Sequence, residues 1–399
     1  MEMDTRREAA LDSTTAWAIA FLGLLILTLV WGFIFTFTVY ADTLATTYGL
    51  SSFQTSSVFS IMTAAFFVVG GGLGLLIARL PLRPVVATVA VGLALAFGAL
   101  QVVSTYLGVI VAFVLIGTTG GTIFVIITAL VPQWFDVYQG RAMGVAMTGN
   151  GLGVLVLPPV WLWLLERTDL RLAFAIVGGV TVATCLLASL LYRRPPGVRT
   201  ATTVDLAWIR NALANRTFLV AISGFALMWS WYFALSADLV GILTSTGFER
   251  SIAATAFGIV GGISVFTRII SGSLADRFGL RAILTVGVGF AAVALLGLIW
   301  VDTLARMYIT LAVFGFGLGA VATLFSPIIL GSFGSENAVA IIGLFTMFEA
   351  TTAFLVPVGV GALVQLTGGY DLPLAVLAAV SLLGVGMFYW ATKDPDASP

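Results

Sequence analysis

From Trp17 to Ala41 the chain runs without a charged side chain, longer than the roughly 7 to 15 apolar residues of a signal-peptide core, so the pattern predicts a retained first helix. Further apolar runs, broken by Pro, Gly and charge, fall at about 54–78, 84–104, 106–131, 141–165, 171–192, 218–245, 251–273, 282–301, 305–331, 338–364 and 371–392. Each is near the roughly 20 residues that carry a helix across a bilayer. Twelve membrane helices are therefore predicted, and with short connections they use most of the length, leaving no room for a soluble domain.

The longest polar connection lies mid-chain, at 193–216, and holds five of the eighteen cationic residues. It divides the chain into a first six-helix unit (1–192), a linker (193–217) and a second six-helix unit (218–399). Basic loops are retained on the cytoplasmic side. With the N-terminus inside, thirteen of the eighteen Lys and Arg fall on inner loops and tails, four (Arg167, Arg171, Arg250, Arg306) fall outside, and Arg268 lies within a span. Both termini are thus expected on the cytoplasmic side of the cell (inner) membrane.

The two units repeat one another. A shift of 198 carries Gly74, Leu76, Arg79, Leu82 and Arg83 onto Gly272, Leu274, Arg277, Leu280 and Arg281, and likewise Gly117, Gly121 and Pro159 onto Gly315, Gly319 and Pro357. Ala41-Asp42 matches Ala237-Asp238 at a shift of 196. The pattern is that of a parallel duplication.

Composition agrees and removes several functions. Sixty per cent of residues are hydrophobic and 9% charged, against roughly 25% charged in soluble domains. Zero net charge argues against a nucleic-acid partner, and the absence of His removes the commonest general base and metal ligand. The lone Cys185 sits in an apolar run as a packing residue; no cofactor is expected. With no G-x-S-x-G elbow, a membrane-embedded enzyme is a remote reading. Gly315-x-Gly317-x-x-Ala320 loosely fits a dinucleotide fingerprint but lies in an apolar span, where helix packing is the better account.

The stretch G-S-L-A-D-R-F-G-L-R (272–281) is similar to the inter-helix signature of the major facilitator superfamily. The resemblance implies an all-α membrane fold of twelve transmembrane helices in two pseudo-symmetric six-helix bundles, working as a monomer. It also implies a conformational latch. Gly272 would let two helices approach, Asp276 would cap a neighbouring helix, Gly279 completes the signature, and Arg277 and Arg281 would meet carboxylates or helix C-termini. The first copy carries Ala78 and Pro81 where the signature has Asp and Gly, so the latch is expected mainly in the second. Two further stretches resemble the monocarboxylate transporter branch, which includes oxalate-formate exchangers. One is W-F-D-V-Y-Q-G-R-A-M-G-V-A-M-T-G-N-G-L-G (134–153); the other runs from Asp238 through TSTGF to Arg268. The implied activity is secondary transport of a small organic monocarboxylate of the lactate or pyruvate kind with a proton; proton-independent anion exchange is the alternative.

Ionised groups at the bilayer centre cost at least ~2.5 kcal/mol each, which singles out Asp42, Asp238, Arg268 and Glu349. Counting 1.5 Å per residue places Arg268 and Glu349 well inside and the two Asp residues nearer the outer ends. Arg268 matches a carboxylate bidentately, and the resemblance places the substrate's Arg here; the competing reading is an ion pair with Glu349 or Asp238 that joins helices. Glu349 stands where the resembling oxalate exchanger has a second cation, which favours a monoanion over oxalate and makes this acid a proton-carrier candidate. The acid that proton-coupled relatives place one turn before the Arg is Ser264 here. Asp238 and Asp42 are further coupling candidates, with helix-end caps as the alternative. Asn150 and Tyr40 join Arg268 as candidate substrate contacts, against close helix packing at the glycines flanking Asn150 and an interfacial anchor for Tyr40.

Overall fold

The computed structural model describes residues 11–77, 81–136, 138–193, 195, 206–334 and 338–393. They form α1 (Thr14–Phe35), α2 (Phe37–Tyr48), α3 (Ser52–Ile77), α4 (Leu82–Val102), α5 (Tyr106–Leu130), α6 (Gln139–Leu165) and α7 (Leu170–Leu191). A short α8 (Leu206–Ala214) follows, then α9 (Arg216–Met228), α10 (Ser230–Ser245), α11 (Arg250–Phe278), α12 (Leu280–Leu298), α13 (Leu304–Phe333), α14 (Ala338–Thr367) and α15 (Asp371–Ala391). Among these residues twelve segments are long and apolar enough to span a bilayer, α9 and α10 together making one.

Local chemistry sets the helix ends. Ser13, Thr105, Asp169, Asn215 and Thr303 each accept a hydrogen bond from a first-turn N–H, satisfying donors a helix start leaves orphaned. Asn215 thereby separates α8, a helix the pattern of the linker did not predict, from the seventh span. The first span breaks at Thr36, whose hydroxyl donates to the Gly32 carbonyl at 2.6 Å and accepts the Trp161 indole N–H at 3.1 Å. Such back-bonding by Thr bends helices.

The duplication is written in the packing. An added Cβ at Gly117 would strike the Met62 carbonyl and one at Gly121 the Phe66 carbonyl; at Gly315 it would meet the Val260 carbonyl and at Gly319 the Ser264 carbonyl. All four pairs are related by the same shift of 198: α3 meets α5 at the positions where α11 meets α13, and small residues permit both approaches, the first being the closer. Gly317 likewise approaches the Gly287 carbonyl, so the Gly315–Ala320 stretch serves helix packing.

Between the halves, α3 lies along α14 and α6 along α11. The spans on these four helices have mean hydropathies of 1.3 to 1.7, against 2.0 to 2.2 for those on α4, α7, α12 and α15. The four inter-half helices pack against protein across the halves and so tolerate more polar groups. Gly71 on α3 meets the Gly343 carbonyl of α14, and Gly261 on α11 meets the Gly151 carbonyl of α6.

The signature at 272–281 departs from its expected role. A Cβ at Gly272 would meet nothing within 4 Å, so Gly272 does not mediate a close helix approach. Gly279 is needed for another reason: its φ of +92° makes the sharp turn between α11 and α12. Arg277 is exposed and lies over the Phe278 ring, while Arg281 donates a long bond to the Ser332 hydroxyl at 3.4 Å. The Asp276 side chain lies outside the described residues.

Candidate substrate site

Arg268 lies about two thirds of the way along α11, facing α6. Its Nη1 donates to the Met147 carbonyl at 3.4 Å, a long contact, and its Nε is buried without an acceptor. Among the described residues neither Glu349 nor Asp238 forms an ion pair with it. The helix-joining ion pair is therefore not what the structure contains: a guanidinium sits between the halves with donors to spare. Residues three apart share a helix face, so Asn150 stands on the same wall as Met147, 7% exposed, with its Oδ1 unpartnered. Ser264, one turn before Arg268, donates to the Gly261 carbonyl at 2.7 Å.

Tyr232 of α10 is buried and feels the charges of both Arg268 and Glu349. Its hydroxyl accepts the Trp31 indole N–H at 3.0 Å, joining α1 to α10 across the molecule. Around this bond Trp31 packs on Phe35, Phe66 and Phe124, and Tyr232 on Phe35, Trp229 and Phe233. Phe67 meets Phe233 edge-on across the halves. Sequence reasoning missed Trp31 and Tyr232 as a pair, because their contact joins positions 201 apart.

Glu349 is 8% exposed on α14, and among the described residues its carboxyl has no hydrogen bond or ion pair. One turn on, Thr352 donates to the Glu349 and Ala226 carbonyls, tying α14 to α9 and fixing the helix that presents the acid. Arg268, Asn150 and Glu349 thus come from α11, α6 and α14, all inter-half helices.

The other candidates stand apart. Tyr40 is fully buried, packed among Phe33, Phe37, Trp161 and Phe174, and its hydroxyl donates to the Phe33 carbonyl at 2.9 Å. It belongs to the interior of the first bundle rather than the space between bundles. Asp42 is exposed and pairs with Arg250 at 3.0 Å, near the face opposite the termini. Asp238 lies nearby, beside the Tyr370 hydroxyl. Burial and the Asp238 charge hold the Tyr370 phenol above its ordinary range, so it stays protonated and can donate. Cys185 is buried and free.

The sequence pattern of the Major Facilitator Superfamily matches residues 19–357. The chain is 26% identical over 402 residues to monocarboxylate transporter 3 of Rattus norvegicus, covering 96% of this chain and 80% of that protein. It is 27% identical over 314 residues to monocarboxylate transporter 13 of the same species (76% and 72%) and 23% identical over 410 residues to monocarboxylate transporter 4 of Gallus gallus (96% and 85%). In fold it matches a bacterial homolog of the human lysosomal transporter Spinster, in an inward-facing and unoccupied conformation, with a TM-score of 0.71 at 15% identity over 96% of this chain and 98% of that one.

Proposed function

The chain belongs to the Major Facilitator Superfamily, a family of transporters rather than enzymes, and from that premise we propose that this multi-pass membrane protein carries small monocarboxylates together with a proton. The observation that carries the reading is Arg268: a guanidinium between the halves, with an unpartnered Nε and only a long bond to a carbonyl, is a receptor for an anion. One guanidinium and one acid on the inter-half helices suit a monoanion; oxalate would require a second cation. The similarity to monocarboxylate transporters supports the same class.

Glu349 supplies the coupling. An incoming carboxylate brings a negative charge between the halves, a charged Glu349 is disfavoured beside it, and the acid takes up a proton. Substrate and proton then cross with no net charge added to the cavity, which lowers the barrier to closing the halves around them. The protein works as a monomer in the cell membrane with both termini cytoplasmic.

The test is uptake into proteoliposomes of a panel of labelled monocarboxylates and oxalate, with and without an inward proton gradient. Gradient-driven accumulation of a monocarboxylate supports the proposal. Counterflow indifferent to pH would replace symport with anion exchange, and preferred uptake of oxalate would remove the monoanion argument.

A further inference from the structure

The start of α4 and the end of α7 enclose a cavity of about 300 Å³ lined by Pro81, Leu82, Arg83, Pro84, Tyr192 and Arg193. It lies on the face that carries the N-terminus, since the Asp12 N–H donates to the Trp134 carbonyl at 3.0 Å and the Trp134 indole N–H donates to the Arg193 carbonyl at 2.8 Å. Its walls are stiff. Proline fixes φ at positions 81 and 84, and opposite them the buried Tyr192 donates a long bond to the Ile19 carbonyl of α1 at 3.4 Å. Two guanidiniums therefore line one preformed space. Among the described residues neither has a hydrogen bond or an ion pair, and no carboxylate lines the cavity with them. Two like charges that share a space without a counter-charge repel, and the group that would relieve both is an anion with several oxygens, for which the planar guanidinium is the matched donor.

The outer side of this cavity is lipid. Of the twelve spans among the described residues, the one on α7 is the least buried, and that on α4 is close to it. On α4 the exposed positions include Pro84, Thr88, Val91 and Leu95, and on α7 they include Ala183, Leu187, Leu190 and then Arg193. Spacings of three and four keep each set on one helix face, so two bilayer-facing stripes, largely apolar, lead away from the two arginines. We propose that the cavity holds the headgroup of an anionic phospholipid, its phosphate on Arg83 and Arg193 and its acyl chains along the stripes of α4 and α7. A soluble phosphate shares the headgroup chemistry but has nothing to lay against the stripes. The site is separate from the substrate site, because neither α4 nor α7 is an inter-half helix. Arg193 also begins the linker, so a lipid bound there anchors the end of the first half at the membrane surface.

Purified protein in a non-ionic detergent, titrated with dioleoyl phosphatidylglycerol, dioleoyl phosphatidylcholine or glycerol phosphate and read by thermal shift, tests this, since ligands that bind the folded state raise its melting temperature. Phosphatidylglycerol is expected to bind about tenfold or more tightly than zwitterionic phosphatidylcholine. A basic residue near the membrane surface is worth about fivefold in lipid affinity, so Arg83→Gln and Arg193→Gln should each raise the Kd for phosphatidylglycerol by about that factor and the double variant by about twentyfold. The unliganded melting temperature should stay near wild type, because both side chains are exposed and unpartnered among the described residues. Arg277→Gln removes an exposed arginine outside the cavity, and screening should keep its Kd within about twofold of wild type. An unchanged Kd in the double variant would overturn the site, and so would an equal loss from Arg277→Gln, which would mean diffuse attraction. Glycerol phosphate binding as tightly as phosphatidylglycerol would make the occupant a soluble phosphate and overturn the lipid.

Discussion

Asp42 and Arg250 form a 3.0 Å ion pair that ties α2 of the first half to the start of α11 in the second. Directly beneath it the Thr38 hydroxyl accepts the Val240 N–H at 2.9 Å, and Arg250 also donates to the Val39 carbonyl at 3.4 Å. These contacts close the face opposite the termini. Both charged side chains are substantially exposed, 68% for Asp42 and 40% for Arg250, so the pair contributes at most about 1 kcal/mol. That is small for stability yet enough to move a balanced equilibrium between two conformations by about fivefold. Asp42→Asn is therefore expected to leave the melting temperature nearly unchanged while amide exchange quickens around Val240. Unchanged exchange there would mean that the pair does not hold this face shut.

Helix crossing should respond to added methyl groups only where backbones touch. Gly121→Ala drives a Cβ into the Phe66 carbonyl, which cannot rotate away, and is expected to cost roughly 1 to 3 kcal/mol as overpacking does. Gly272→Ala meets open space and is expected to melt within a degree or two of wild type. Thermal melts of the two purified variants check this, and equal melting temperatures would contradict the packing account.

The basic residues predict orientation. In a Cys185→Ser background, a cysteine replacing Arg277 should react with a membrane-impermeant thiol reagent only from the cytoplasmic side, and one replacing Arg306 only from outside. Both side chains are well exposed, so access is decided by sidedness. The opposite labelling would invert the topology.

Glu349 allows transport and coupling to be separated. Glu349→Gln is fixed in the neutral state and close in shape, so it should still let substrate neutralise Arg268 and exchange across the membrane, while uphill uptake driven by an inward proton gradient is lost. Gradient-driven accumulation by this mutant would move the proton elsewhere. Asp238→Asn and the double mutant then decide whether either acid is required.

Much of the fold was legible because backbone contact demands glycine. Gly117, Gly121, Gly315 and Gly319 stand out in the sequence at one shift, and each rests against a carbonyl on the corresponding partner helix. The unusual charges were legible too: Arg268 and Glu349 interrupt apolar runs, and both lie on inter-half helices. Azimuth was not. An aromatic residue in an apolar run gives no sign of which face it occupies, so Tyr40, inside the first bundle, reads the same as Tyr232, between the two. The contact of Trp31 with Tyr232 joins positions 201 apart and has no local signature. The break at Thr36 is equally hidden, since Thr occurs in membrane helices without bending them. Gly272 shows the converse, a signature glycine with no backbone against it.

Substrate binding by Arg268 is tested most directly by uptake of the preferred monocarboxylate into proteoliposomes containing wild type, Arg268→Lys or Arg268→Gln, with folding verified by thermal melts. A planar fork matches a carboxylate in a way a point charge does not, so Arg268→Lys is expected to lose most uptake and Arg268→Gln nearly all of it while both remain folded. Near-normal uptake by folded Arg268→Gln would contradict the account and remove Arg268 from the site.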